Sequence, residues 1–193
     1  MSRSHQRDSC IKTRRGLASV EFGLLAPFLI LVMLAGADLS LFMRTALRTN
    51  ETAKEVAMTV TQYTDLYDSD FTNFFNASQT IAGTTPVTGL FGATIISGIV
   101  NSSGKQSIAW QKISASATFR SLIGTAGATP TLPNQYVVPS GESLIAVEVF
   151  TTASTWVLSA RLMGGPGNTS IRSYALFQPR LGSLSKVTTG NRP

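Results

Sequence analysis

An acid planted in an otherwise apolar run constrains this chain more than any other feature. Residues 14–38 read Arg14-Arg15-Gly16-Leu17-Ala18-Ser19-Val20-Glu21-Phe22-Gly23-Leu24-Leu25-Ala26-Pro27-Phe28-Leu29-Ile30-Leu31-Val32-Met33-Leu34-Ala35-Gly36-Ala37-Asp38. Sixteen uncharged residues separate Glu21 from Asp38, close to the length a helix needs to cross a ~30 Å hydrocarbon core once its flanks are counted. A carboxylate at the bilayer centre costs roughly 2.5–3.5 kcal/mol on insertion scales. Glu21 therefore needs either a partner or a shallow position.

Charge is distributed in a way that fits a membrane segment better than a nucleic-acid surface. The net charge is +6, from 16 basic and 10 acidic residues. Residues 1–16 hold Arg3, Arg7, Lys12, Arg14 and Arg15 against Asp8, so most of the excess sits ahead of the apolar run. Beyond it no stretch interleaves basic and aromatic residues, and nucleic acid is not an expected partner. Five bases precede the run, whereas Arg44, Arg48 and Lys54 follow it. That asymmetry favours a cytoplasmic N-terminus and an exported remainder. A secretory signal stays open as an alternative, since Ala35-Gly36-Ala37 offers a small-x-small cleavage site. An ordinary signal core has no use for Glu21.

The single cysteine, Cys10, and the single histidine, His5, both precede Gly16. Cys-His and Ser-His-Asp catalysis and His- or Cys-ligated zinc would be lost with a cleaved leader. No cofactor and no metal are expected, and an exported domain without cysteine must be held by packing.

The basic pair, Gly16, four small or apolar residues, Glu21 and Phe22 together resemble the cleavage site of type IV prepilins and pseudopilins. The fuller run from Arg15 to Pro27 looks most like the TadE-type pseudopilins of tight-adherence (Tad) pili, and the likeness is sharpest over about residues 14–40. The resemblance implies that a prepilin peptidase cuts between Gly16 and Leu17, with Arg14 and Arg15 holding the site at the cytoplasmic face. Glu21 would then be the fifth residue of the mature chain, facing the new amine of a neighbouring subunit. Ser140 to Phe150 is similar to the strand such proteins carry before a C-terminal hairpin, and Ser173 to Arg180 to their closing strand.

The remaining pattern predicts an α+β fold. A long N-terminal helix, transmembrane in its first half, is expected over residues 17–63 after a basic leader at 1–16. Beyond Asp38, Phe42, Ala46, Ala53, Val56, Ala57 and Val60 keep a three–four spacing that is interrupted near Thr49-Asn50. Pro27 lies inside that helix and is expected to kink it. Residues 64–193 are expected to form a periplasmic or extracellular head. It begins with a short helix capped at Ser69 or Asp70, presenting Phe71, Phe74, Phe75, Ser78, Ile81 and Ala82 on one face. An antiparallel sheet of about four strands follows, from Ala93–Val100, Ser107–Ile113, Leu144–Thr152 and Ser170–Phe177. Residues 121–139 read as loop, 155–163 are ambiguous, and 164–168 must turn.

The head offers little for catalysis. Glu142 and Glu148 are its only carboxylates after Asp70, and on one extended segment they lie roughly 20 Å apart at 3.3 Å per residue. Glu148 is expected either to face solvent or to pair with a base such as Arg172. Trp110 and Trp156 are expected to pack on the sheet. No enzyme activity is expected. The reading is a minor pilin or pseudopilin precursor of the inner membrane, working with prepilin peptidase, other pilin subunits and the Tad assembly machinery. An uncleaved single-pass protein with a partner-binding head is the alternative.

Overall fold

A computed structural model describes residues 5–114, 118–154 and 168–192, with side chains over 19–114, 118–153 and 169–192. The chain divides into two compact units. The first contains the N-terminal stretch to Leu41, and the second contains Phe42–Ser154 and Asn168–Pro193.

Helix α1 spans His5–Val60 and contains Pro27. The helix continues through a residue that removes one backbone bond and crowds the carbonyl four positions earlier. That carbonyl belongs to Gly23, whose backbone is the least restricted available. At its other end the helix tightens rather than stopping abruptly. Thr61 N–H reaches Ala57 O at 3.1 Å, and Gln62 and Tyr63 then donate to Thr59 O and Val60 O at 3.2 Å each, the shorter-ring closure common at helix ends.

From Thr49 onward one face of α1 is buried, through Thr49, Thr52, Ala53, Val56, Ala57 and Val60. The threonines explain the apparent interruption in the apolar spacing. Thr49 and Thr52 hydroxyls donate to Thr45 O at 2.7 Å and Arg48 O at 2.8 Å. Each satisfies its polar atom within the helix and presents a methyl to the core.

Strand β1 (Leu66–Tyr67) leads into helix α2 (Asp68–Ala82). The helix starts at Asp68 because Asp70, at its third position, accepts the Tyr67 N–H at 2.9 Å; both acids also lie where the helix dipole favours negative charge. It stops at Gly83, whose φ of 64° is costly for other residues and whose N–H returns to Gln79 O at 3.0 Å. The aromatic face expected from the sequence is internal: Phe71, Phe74, Ser78 and Ala82 are buried, with Phe75 and Ile81 packed beside them.

The sheet contains β2 (Gly92–Ser102), β3 (Lys105–Ile113), β4 (Ser143–Ser154) and β5 (Asn168–Phe177) in the order β3-β2-β4-β5. All its pairings are antiparallel. These are the four expected strands, each somewhat longer than its apolar core. Residues 155–163, Trp156 and positions 164–167 of the expected 164–168 turn lie outside the described residues, and Asn168 already belongs to β5. A short strand β6 (Val187–Thr188) pairs in parallel with β1.

One face of the sheet carries Ile96, Trp110, Ile145, Val147, Val149 and Ala175, which pack with α2 and residues 53–60 of α1. The other face carries Ile99, Ile108, Leu144 and Ala146, covered by Ile123, Leu132 and Val138 from the long β3–β4 connection. Ile108 and Trp110 lie two apart in β3 yet serve opposite faces. The register explains this: Ile99 opposes Ile108, Gly98 opposes Trp110, and Ala109 is the extra residue between them. A bulge shifts the alternation by one position. Gly98 also makes room for the indole, since a Cβ there would lie 2.3 Å from the Trp110 ring. Phe119 stacks on Phe150 at 5.6 Å to extend the loop-covered face.

Candidate functional site

The apolar part of α1 is unlike any other surface of the described chain. Val20, Phe22, Leu24, Leu25, Phe28 and every residue from Leu29 to Leu34 are exposed. At 100° per residue these positions point in all directions, so no single face is apolar and no single face is covered. A helix apolar all round belongs in a core or a membrane. Here it is not buried in its own chain, and one helix, at Ser19–Val60, is long and apolar enough to cross a bilayer. From Phe22 to Met43 the only charged residue is Asp38, giving about 33 Å at 1.5 Å per residue.

Glu21 sits at the start of this stretch, exposed, beside Phe22, which is also exposed. Helical spacing puts Glu21 in register with Leu24, Leu25 and Phe28. Pro27 is exposed on α1. Arg14, Arg15, Gly16 and Leu17 lie on the helical backbone of α1, and their side chains lie outside the described residues. Arg14, Leu17 and Glu21 fall near one another around the helix by the i, i+3, i+7 rule. The spacing therefore places the basic residue, the expected new terminus and the acid on one stripe.

In the head, Glu148 is wholly buried on β4. Its carboxylate accepts from Arg172 Nε at 2.9 Å and Nη2 at 2.6 Å, from Leu122 N–H at 3.1 Å and from the Ser121 hydroxyl. The register sets Glu148 opposite Tyr174, while Arg172 opposes Phe150 on the same face. Arg172 is the base expected for it. Sequence reasoning missed the loop donors Ser121 and Leu122, because a contact 26 or 27 residues distant leaves no periodic mark. With both oxygens engaged, Oε1 by Arg172 and the Leu122 N–H and Oε2 by the Ser121 hydroxyl, this acid pins the β3–β4 connection to the sheet.

A second polar centre joins the C-terminal segment to the start of α2. Arg192 donates to Asp70 Oδ1 at 3.1 Å and Oδ2 at 2.8 Å and to Asp65 O at 2.8 Å. Its guanidinium lies 5.0 Å from both the Tyr63 and Tyr67 ring centres. The Arg192 hydrogen bonds, aided by the Tyr67 N–H and the nearby positive charge, hold the Asp70 carboxyl below its ordinary range despite partial desolvation. Asp70 in turn raises the Arg192 guanidinium. Further along the same segment, Trp110 Nε1 donates to Leu184 O at 2.8 Å and Arg180 N–H to Thr61 O at 3.2 Å. Both polar centres are structural ties. Among the described residues no group of three or more His, Cys, Asp and Glu side chains is placed to hold a metal.

The decisive observation lies outside the head. Residues 16–58 match the TadE-like protein family. The match begins at Gly16, covers Glu21, Phe22 and Pro27, and ends two residues before α1 does. It extends the TadE-like likeness beyond residue 40 into the part of α1 that packs on the head, and it does not reach residues 140–150 or 173–180. No curated protein matches the chain, and no solved structure does. The TadE-like segment and the membrane-length helix are thus one element, which ties the chain to the context of Tad pili.

Proposed function

We propose that this chain is the precursor of a minor pilin or pseudopilin of a Tad-type system, processed by prepilin peptidase after Gly16. It acts by assembly, not catalysis, in building a pilus used for adhesion and biofilm growth. The observation that carries this reading is a TadE-like helix whose apolar surface is exposed on every side and which then packs a sheet head. Its partners would be the peptidase, other pilin subunits and the Tad assembly machinery. Five bases ahead of the apolar run against three just after it support an inner-membrane, single-pass arrangement. The N-terminus would be cytoplasmic, the head periplasmic, and the mature subunit incorporated into an extracellular filament.

Removal of residues 1–16 would free an amine at Leu17. Between neighbouring helices in lipid, that amine and Glu21 neutralise each other, offsetting the cost of an acid in a low-dielectric setting. The pairing is satisfied only at the correct stagger, which makes Glu21 a register device.

The alternative is an uncleaved single-pass protein with a partner-binding head. Intact-mass and N-terminal peptide measurements on the membrane-extracted chain separate the readings. A terminus at Leu17, lost in Gly16→Leu, is expected. A terminus at Met1 in a host with active peptidase would overturn processing, and one after Ala37 would assign a secretory signal.

A further inference from the structure

We propose that the head binds a neutral saccharide in a cleft on the loop-covered side of its sheet. The inference stands on the head alone and does not depend on the pilus reading. The cleft is about 420 Å³ in volume, and Asn134, Tyr136, Leu144, Tyr174, Leu176 and Gln178 line it, with Pro133 at its edge. That volume is within the usual range of small-molecule sites, roughly 300–1,000 Å³.

The cleft follows from the register. Tyr174, Leu176 and Gln178 alternate along β5 and its exit, sharing a face with Leu144 and Ala146 of β4. Ile123, Leu132 and Val138 cover the β2–β4 part of that face. Toward β5 the cover thins, and Tyr174 and Tyr136 are left 41% and 48% exposed. Leu144 and Leu176 form the floor, and the turn at 133–136 forms the wall.

The wall is preformed. Val138 O accepts from Asn101 Nδ2 at 2.6 Å, and Val138 N–H donates to Gln106 Oε1 at 3.2 Å. Tyr136 N–H closes on Pro133 O at 3.2 Å. Asn134 and Gln135 both hold φ at 54°, a left-handed conformation that is uncommon for two successive residues other than glycine. Strain of this kind is maintained where the surroundings over-determine it and clusters at ligand sites.

The chemistry selects the ligand class. No lining residue is charged at neutral pH, so the cleft offers nothing to a phosphate, a carboxylated sugar or a free cation. Two charged residues beside the lining are already engaged. Arg172 is held by Glu148 while covering the Tyr174 ring at 5.2 Å. Glu142 accepts the Gln178 Nε2–H at 2.5 Å. That bond fixes the Gln178 carboxamide with its oxygen free to accept from a hydroxyl. Tyrosine rings stack against the C–H faces of a pyranose and their hydroxyls bond its rim, while Asn134 supplies both a donor and an acceptor.

The test uses the full chain in a zwitterionic detergent free of sugar. Cellotriose, maltotriose and tri-N-acetylchitotriose are titrated by calorimetry and by saturation-transfer NMR, with trigalacturonate as the charged comparison. At least one neutral trisaccharide should bind saturably, and trigalacturonate should bind at least tenfold more weakly. Tyr136→Ala lies on an exposed turn and leaves the sheet intact. It should weaken binding about tenfold, the scale of one aromatic contact, and Tyr136→Phe should restore most of the loss. The proposal is overturned by no saturable binding of any neutral probe up to about 10 mM. Equal affinity for trigalacturonate, or binding indifferent to Tyr136→Ala, would also overturn it.

Discussion

Removing either partner of the Glu148–Arg172 pair should cost very different amounts of stability. Glu148 is wholly buried, and the Arg172 side chain is 26% exposed. Arg172→Leu therefore strands a carboxylate whose remaining donors are the Ser121 hydroxyl and the Leu122 N–H. Breaking a buried pair in this way costs about 3–5 kcal/mol. Glu148→Leu leaves a cation that can turn toward water. Its main debts are the unpaired Leu122 N–H and the slackened 121–123 turn, about 1–3 kcal/mol. The double variant should lie close to Glu148→Leu alone, because the second change then removes no buried partner. The coupling then equals the whole Arg172→Leu cost, about 3–5 kcal/mol, at or above the top of the usual range for groups in direct contact. Urea titration of the detergent-solubilised chain, followed by tryptophan fluorescence and near-ultraviolet dichroism, measures all three. Arg172→Leu should lower the melting midpoint by about 10 °C, at 2–4 °C per kcal/mol for a chain of this size. The reasoning fails if Glu148→Leu proves the more damaging change, or if the two effects simply add.

The Asp70–Arg192 tie should make the head acid-sensitive. Because Asp70 titrates lower in the folded state, the unfolded chain binds more protons in the intervening range. Its stabilisation is complete above the ordinary carboxylate value of about 3.9 and is lost as pH falls through the lower folded value. Asp70→Asn should flatten that part of a thermal-midpoint profile, and an unchanged slope would assign it to other groups. Gly98→Ala would place a Cβ 2.3 Å from the Trp110 ring. It should cost about 1–3 kcal/mol and shift the tryptophan emission to the red, and a silent substitution would mean that the indole does not lie across Gly98.

The sequence disclosed whatever repeats over a few residues. The all-round apolar run, the α2 aromatic face and the four strands each carry their own period, and each is present. Thr49 and Thr52 were illegible because their hydroxyls bond within the helix, so polar residues occupy core positions without penalty. The two-sided burial of β3 was hidden for a different reason. Ala109 looks like one more strand residue until the partner register shows that it is unopposed. The C-terminal tie was hidden by distance, since Arg192 meets Asp70 across 122 positions. In the TadE-like segment the sequence pattern carries more than the head could, because a membrane helix is specified by composition and length.

Glu21 poses a sharper question about assembly than a buried pair would. On the processed reading, Leu17 and Glu21 are four residues apart, so the new amine lies one turn below the carboxylate of its own chain. A lone processed subunit can then satisfy the acid in cis, and a filament gains only by the amount that the neighbour's amine is better placed. Pairing therefore supplies a difference between correct and incorrect neighbours, while affinity must come from side-chain packing, since lipid offers no hydrophobic drive between helices. Glu21→Ala should leave cleavage at Leu17 intact. Its incorporation should fall modestly when it is the sole copy and much further when it competes with the unaltered chain. Quantitative mass spectrometry of sheared filaments from singly and doubly expressing cells measures both. Equal losses with and without the competitor would show that the acid contributes plain affinity, and the register argument would be wrong.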